Sequence, residues 1–141
     1  MIGYIVTGHA QFATGVTSAA ELIAGKQDHL VACNFDDFSN ADSIYYKLQD
    51  AVNELSDCED IVVFCDLLSG SPYNKAIQLK VDTGNTHMHI VYGINLALLI
   101  EAFTARGNDS SLEEILGIPE MAKFFMGVVA DAPTADEDDD F

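Results

Sequence analysis

A chain of 141 residues, 49% of them hydrophobic, has the length of one domain and enough apolar side chains for a core. It carries 23 Asp and Glu against six Lys and Arg, a net charge of −17 at pH 7. This surface argues against nucleic acid or an anionic membrane as a partner and favours a partner with a basic face. Residues 131–141 contain acids and no base, so we expect an acidic disordered tail after a domain over residues 1–130.

Strands and helices are predicted to alternate along the chain. Apolar runs predict strands over residues 2–7, 29–35, 60–65 and 89–92. Apolar periodicity predicts helices over residues 12–24, 72–84 and 96–105. A further helix is predicted from a cap at Ser39 or Asn40 to about residue 55. The last predicted helix begins after Ser111, and Pro119 could divide it in two. This alternation predicts an α/β fold with a doubly wound, mainly parallel sheet of four strands and helices on both faces.

The late apolar run over residues 124–130 does not fit this alternation. It predicts an edge strand, paired within its own subunit or with another, or else a helix that ends at Gly127.

No apolar run reaches membrane-spanning length, and no basic region precedes an apolar stretch at the N-terminus. We therefore expect a cytoplasmic protein without a signal peptide or direct membrane insertion. Cys33, Cys58 and Cys65 are odd in number and lack C-x-x-C spacing. Buried, reduced thiols are the favoured interpretation, with a redox role as the alternative.

A histidine and a carboxylate follow two of the predicted strands. His9 comes directly after the first strand and Asp66 directly after the third. Ligands bind at the carboxyl edge of open α/β sheets, so both side chains are candidates for a site there. The remaining histidines, His29, His87 and His89, come at the starts of strands and should lie at the opposite edge. His87 and His89 alone resemble a metal pair, but no third ligand is near them in sequence, so we expect no metal site.

These residue types suit phosphoryl transfer. A carboxylate bonded to one ring N–H of a histidine fixes its tautomer, frees the other nitrogen to attack and stabilises the positive ring that forms. Ser69, Gly70 and Ser71 precede a helix that begins near Pro72, so their amides are predicted to bind phosphate. The alternative is structural: His9 and Asp66 could form a stabilising pair, and Ser71 could be only a helix cap.

Three segments resemble mannose-family enzyme IIA proteins of the bacterial phosphoenolpyruvate-dependent sugar phosphotransferase system. They are residues 5–15 with 18–25, residues 66–76 and residues 92–101. The resemblance covers roughly residues 1–130 in the same order and spacing. Ala10 stands where a glycine is common in the family, Ser69 replaces the first of two glycines, and Ala97 replaces a frequent proline. None of these departures removes the candidate nucleophile or its partner. They therefore concern loop geometry and sugar class more than the chemistry.

The resemblance implies that His9, oriented by Asp66, accepts a phosphoryl group from phospho-HPr and donates it to a histidine of the IIB component. The IIB component in turn phosphorylates sugar that enters through the membrane components IIC and IID. The resemblance also implies that no cofactor is needed, and that the protein is a homodimer whose last strand is exchanged between subunits, a role that residues 124–130 fit. The transported sugar is not revealed by these residues.

Other proteins of this architecture provide alternatives. A response-regulator receiver needs acids for magnesium at the end of the first strand, where this chain has Thr7-Gly8-His9. A non-transport regulator of the same fold would be distinguished by a transfer assay with HPr. The phosphoryl donor subunit of dihydroxyacetone kinase is a closer alternative, although Gly70-Ser71-Pro72 followed by Asn74 looks like the sugar type.

Overall fold

The computed structural model describes residues 1–131 and confirms the predicted α/β fold. The predicted acidic tail therefore lies, except for Asp131, outside the described residues. The strands are β1 Ile2–His9, β2 Leu30–Phe35, β3 Asp60–Cys65 and β4 Met88–Val91. The helices are α1 Phe12–Ala24, α2 Asp42–Glu54, α3 Ser71–Thr83, α4 Leu96–Gly107 and α5 Leu112–Leu116, followed by a 3₁₀ helix over Ile118–Phe124.

The four strands form one parallel sheet in the order β2-β1-β3-β4. From β1 the chain first moves outward to β2 and later returns to the other side of β1 as β3. This reversal makes the gap between the carboxyl ends of β1 and β3 the topological switch point, where ligands bind in doubly wound sheets. Thr7 of β1 pairs with Cys65 of β3, so the residues that follow each of them emerge together at this gap.

Each face of the sheet is covered by helices, which explains why the strands are apolar without alternation. One core joins the β1 residues Tyr4 and Val6 to α1, α4 and α5. The other joins Ile5 of the same strand to α2 and α3. Val63 in β3 is fully buried, and each such side chain contributes roughly 1.5–3 kcal/mol to stability. The two cores hold β1 and β3, and hence the switch point, rigidly.

Local signals set most helix ends as predicted. Gly84 follows α3 with φ 64°, a left-handed conformation that glycine adopts without a steric penalty. Ser111 and Glu114 form a reciprocal capping box at the start of α5, and the helix gives way to the 3₁₀ helix that contains Pro119.

The predicted cap of α2 was wrong. Neither Ser39 nor Asn40 caps it, and the helix begins at Asp42 with no side-chain cap. The reason is local competition: the Asp37 carboxylate accepts hydrogen bonds from both the backbone N–H and the hydroxyl of Ser39. This turn occupies Ser39 three residues before the helix.

Residues 124–130 form neither of the two predicted structures within one subunit, an edge strand or a helix that ends at Gly127. Phe124 ends the 3₁₀ helix, and the residues that follow, up to Asp131, form neither a strand nor a continuing helix. The segment is nonetheless exposed and apolar, with Met126 82%, Val128 98% and Val129 84% accessible to solvent. A strand needs a partner for its backbone groups, and within one subunit this segment does not reach the sheet.

Within residues 1–131, every helix is too short or too polar to cross a membrane. Cys33 and Cys65 are buried in the sheet, as predicted. Burial raises the pKa of each thiol to about 12, so both stay protonated and poorly reactive at neutral pH.

Candidate active site

His9 and Asp66 meet at the switch point of the sheet. His9 is the last residue of β1, and Asp66 directly follows β3, as the sequence predicted. Nδ1 of His9 lies 2.8 Å from Oδ2 of Asp66, and the backbone N–H of His9 donates to the same oxygen at 2.9 Å. Two hydrogen bonds between one residue pair fix both the position and the rotation of the imidazole. The ring nitrogen Nε2 is left without a competing bond to Asp66.

The surroundings of this pair keep negative charge close to the ring. The side chains of His9 and Asp66 are 28% and 14% exposed, so the pair is shielded but reachable from solvent. The second carboxylate oxygen, Oδ1 of Asp66, is buried and meets no hydrogen-bond donor among the described residues. Hydrogen bonds from the described residues to the Asp66 carboxylate therefore come only from His9, through Oδ2.

The loop Ser69-Gly70-Ser71 closes over the His9 ring. A Cβ atom built on Gly70 would lie 2.7 Å from Cε1 and 3.3 Å from Nε2 of His9, so only glycine allows this approach. Among the described residues, the backbone N–H groups of Ser69 and Ser71 have no hydrogen-bond acceptor. Ser71 is the first residue of α3, whose helix dipole points its positive end at this loop. The loop can therefore receive an anion held on Nε2.

Two residues that differ from the family pattern take left-handed backbone conformations in this site. Ala10 has φ 51° and Ser69 has φ 65°. Positive φ values destabilise a residue that has a Cβ atom, whereas glycine adopts them without this steric cost. Ala10 and Ser69 therefore hold these conformations at some cost in stability, which a glycine would avoid.

Sequence analysis did not identify two aromatic residues of the site, Phe35 and Phe38. Phe35 is buried at the end of β2, with its ring centroid 5.8 Å from that of His9. Phe38 lies in the loop after β2 and stacks on His9 at 5.9 Å with the ring planes 30° apart. Their position was recognisable in principle, since β2 is β1's neighbour and its carboxyl end is at the same edge.

The other three histidines lie at the opposite edge, as predicted, and each is paired with an acid. His29 bonds to Asp57, while His87 and His89 share one oxygen of Asp60. The hydrogen bond from His89, and a weaker contribution from His87, hold the pKa of Asp60 below its ordinary value. These pairs account for three histidines without any link to the switch point.

His29, Asp57 and Cys58 each place one potential metal-ligand atom within 4.8 Å of the others, a cluster that sequence analysis also did not identify. It lies at the amino edge of the sheet and cannot reach a group held at His9. The expectation that the protein needs no metal or cofactor stays a prediction.

Comparison with known proteins identifies the family. Residues 3–118 match the family model described as the PTS system fructose IIA component, where PTS denotes the sugar phosphotransferase system. The chain belongs to this EIIA family. The match confirms the resemblance drawn from the three segments. The family match ends at residue 118, so the domain boundary at residue 130 stays a prediction.

The EIIA protein is similar to several known members of the system. It is 26% identical over 117 residues to the PTS system mannose-specific EIIAB component of Escherichia coli (strain K12), covering 83% of this chain and 36% of that protein. The chain thus spans about a third of that relative's length. It is 24% identical over 106 residues to the PTS system fructose-specific EIIA component of Bacillus subtilis (strain 168), covering 75% of this chain and 71% of that protein.

The fold of the EIIA protein also matches a solved structure. The phosphotransferase system component EIIA from Streptococcus agalactiae superposes with a TM-score of 0.79 at 29% identity, over 91% of this chain and 97% of that one. The four-stranded sheet and its helices are therefore those of a phosphotransferase system IIA component.

Proposed function

We propose that His9 carries the phosphoryl group, on Nε2, and that Asp66 orients the ring. The observation that carries this proposal is the pair of hydrogen bonds from His9, through its backbone N–H and Nδ1, to one oxygen of Asp66 at the switch point. In the transfer, the lone pair of Nε2 attacks phosphorus, and the donor's P–N bond breaks with its electron pair returning to the donor imidazole. The proton on Nδ1 stays in its bond to Asp66, so the phosphorylated ring is positive and the adjacent carboxylate stabilises it.

In this proposal Ser69, Gly70 and Ser71 receive the phosphoryl oxygens. The acceptor-free amides of the loop and the amino end of α3 supply hydrogen bonds and a positive dipole. Gly70 lets the loop come close enough to the ring for these donors to be within reach. No metal is required in this scheme, since the phosphoryl group moves directly between two imidazoles.

The surface around His9 supports docking of a protein partner. Phe38, which lies beside His9, is 74% exposed, and Leu67 and Leu68, which follow Asp66 in the chain, are 57% and 51% exposed. Asp36 and Asp37 precede Phe38, within a chain of net charge −17. Such a face suits a partner that surrounds its own histidine with apolar and basic residues. We propose that HPr and the IIB component bind here in turn, and that the membrane components IIC and IID are reached only through IIB.

A two-step transfer assay tests this function. Phosphoenolpyruvate, enzyme I and HPr should load the protein, and a mannose-family IIB component should then unload it. Loading followed by transfer to dihydroxyacetone kinase and not to IIB would establish the alternative of a kinase donor subunit. Loading with no transfer to either acceptor would indicate a regulatory phosphocarrier. A protein that HPr cannot load at all would contradict the proposed function.

We also propose that the protein is a homodimer in which Phe124–Ala130 pairs with β4 of the other copy. Among the described residues, the outer edge of β4 pairs with no strand. An open cleft of about 590 Å³ beside β4 is lined largely by apolar groups, including Leu98, Leu116 and Pro119. An exposed apolar segment and an unpaired strand edge both promote aggregation of a free monomer. Pairing the segment of one copy with the strand edge of another would cover both.

A further inference from the structure

The aromatic ring of Phe38 lies beside the imidazole of His9. The two ring centroids are 5.9 Å apart with the planes inclined by 30°, at the outer limit of the distance over which an aromatic face attracts a cation. Phe38 also meets Phe35 edge to face at 5.0 Å, and Phe35 lies 5.8 Å from His9. The three rings form a closed cluster in which buried Phe35 supports the other two from below.

Burial does not explain the position of Phe38. The residue is 74% exposed, so little of its apolar surface is removed from water in the free protein. Its loop nevertheless makes specific contacts. Asp37 accepts from the backbone N–H of Ser39 at 3.0 Å, and the Lys47 ammonium donates to the carbonyl of Asn34 at 2.7 Å. These hydrogen bonds lie on both sides of Phe38 in the chain, and the contact with buried Phe35 places the ring next to the histidine.

We propose that Phe38 stabilises phosphorylated His9 by a cation–π interaction and so shifts the phosphoryl equilibrium with the donor toward this protein. The inference depends on the proposed function. The imidazole that attacks phosphorus is the neutral form, because Nε2 needs a free lone pair, and a neutral ring has little attraction for the negative face of Phe38. After Nε2 bonds to phosphorus, with the Nδ1 proton kept, the ring is positive and is attracted to that face. This attraction exists only when His9 is phosphorylated, so it changes the equilibrium constant of phosphoryl transfer as well as the transfer rate.

The expected size of the effect is modest because Phe38 is exposed. Cation–π interactions at exposed sites correspond to about a two- to fivefold change in an equilibrium constant. The order of side chains at position 38 should follow the strength of the aromatic face: Trp at or above Phe, Tyr close to Phe, and Leu below all three. Simple apolar packing predicts a different order, since Leu would then substitute well for Phe.

The test measures how phosphoryl groups distribute between HPr and this protein at equilibrium. A fixed amount of phospho-HPr, freed of enzyme I and phosphoenolpyruvate, is mixed with wild type, Phe38→Leu, Phe38→Tyr or Phe38→Trp, and both phosphorylated species are quantified by ³¹P NMR. Tyr46→Leu is the matched control, because Tyr46 is an exposed aromatic residue of α2, 60% accessible, that does not contact His9. We expect Phe38→Leu to lower the constant two- to fivefold, Phe38→Trp to equal or exceed wild type, and Tyr46→Leu to leave it unchanged.

Other outcomes overturn the inference. If Phe38→Leu changes the forward and reverse rates equally and leaves the equilibrium constant at the wild-type value, Phe38 serves docking alone. If Trp lowers the constant as much as Leu does, shape and not the aromatic face matters. Should Phe38→Leu fail to fold, Phe38→Met takes its place, with the same two- to fivefold loss expected and a wild-type constant overturning the inference. A wild-type protein that HPr cannot load would refute the proposed function, which is a different result from a loaded protein that ignores residue 38.

Discussion

The α-carbon of Gly70 lies against the imidazole of His9, so closely that a methyl group there would sit 2.7 Å from Cε1 of the ring. The contact joins the loop before α3 to the end of β1 across the switch point. It sets the distance between Nε2 and the amides proposed to bind phosphate.

Gly70→Ala should therefore impair transfer without unfolding the protein. Gly70 has φ −76° and ψ 168°, which alanine adopts freely, so the cost comes from the clash with the ring and not from the backbone. A displacement of the imidazole by a fraction of an ångström to 1 Å should slow phosphoryl transfer by up to about 10²-fold. The rate of loading by phospho-HPr measures this. Gly15→Ala is the control, since nothing lies within 4 Å of a Cβ there; equal rates for the two variants would contradict the role of the contact.

Asp66→Asn should slow transfer by on the order of 10²-fold or more, because the amide keeps the shape but loses the charge that stabilises the positive ring. Single-turnover loading kinetics provide the measurement. Asp57→Asn is a matched control, since Asp57 also bonds to a histidine, His29, but at the opposite edge of the sheet. Asp66→Asn at the wild-type rate would show that the pair has only a structural role.

Ala10→Gly should stabilise the protein, by on the order of 1 kcal/mol, because glycine removes the steric cost of φ 51°. The gain is partly offset by the greater freedom of glycine in the unfolded chain. Urea unfolding measures the change. Ala19→Gly, within α1, should instead lower the free energy of unfolding by roughly 1 kcal/mol. A destabilised Ala10→Gly variant would mean that the left-handed conformation at Ala10 is not strained.

The sequence was sufficient for the sheet and the central pair because both follow from strong local patterns. Uninterrupted apolar runs marked the strands, and the rule for the carboxyl edge of parallel sheets placed His9 and Asp66 together. The start of α2 was missed because the Asp37 carboxylate bonds to Ser39, a local choice between two acceptable polar contacts that the residue pattern does not decide. The cluster of Phe35, Phe38 and His9 was missed for another reason. Phe35 ends a buried strand like any core residue, and Phe38 lies in a loop, where no periodicity points to its neighbour.

The run at residues 124–130 shows a different limit. Its composition predicts a strand, but a strand exists only where a partner supplies hydrogen bonds, and one subunit does not supply them to it. Truncation after Ala130 should leave the proposed dimer intact. Truncation after Lys123 should give monomeric or insoluble protein. Sedimentation at micromolar concentration distinguishes these states, and a soluble, folded monomer of the full-length chain would contradict the dimer.

Phosphorylation of the four histidine variants tests the central claim most directly. The protein is incubated with phosphoenolpyruvate, enzyme I and HPr, and the acid-labile, base-stable adduct is quantified by intact mass. We predict one phosphoryl group per chain in wild type and in His29→Ala, His87→Ala and His89→Ala, whose histidines lie at the amino edge of the sheet. We predict none in His9→Ala. An adduct that survives His9→Ala, or one that is lost with any of the other three histidines, would contradict the assignment of His9 as the phosphoryl carrier.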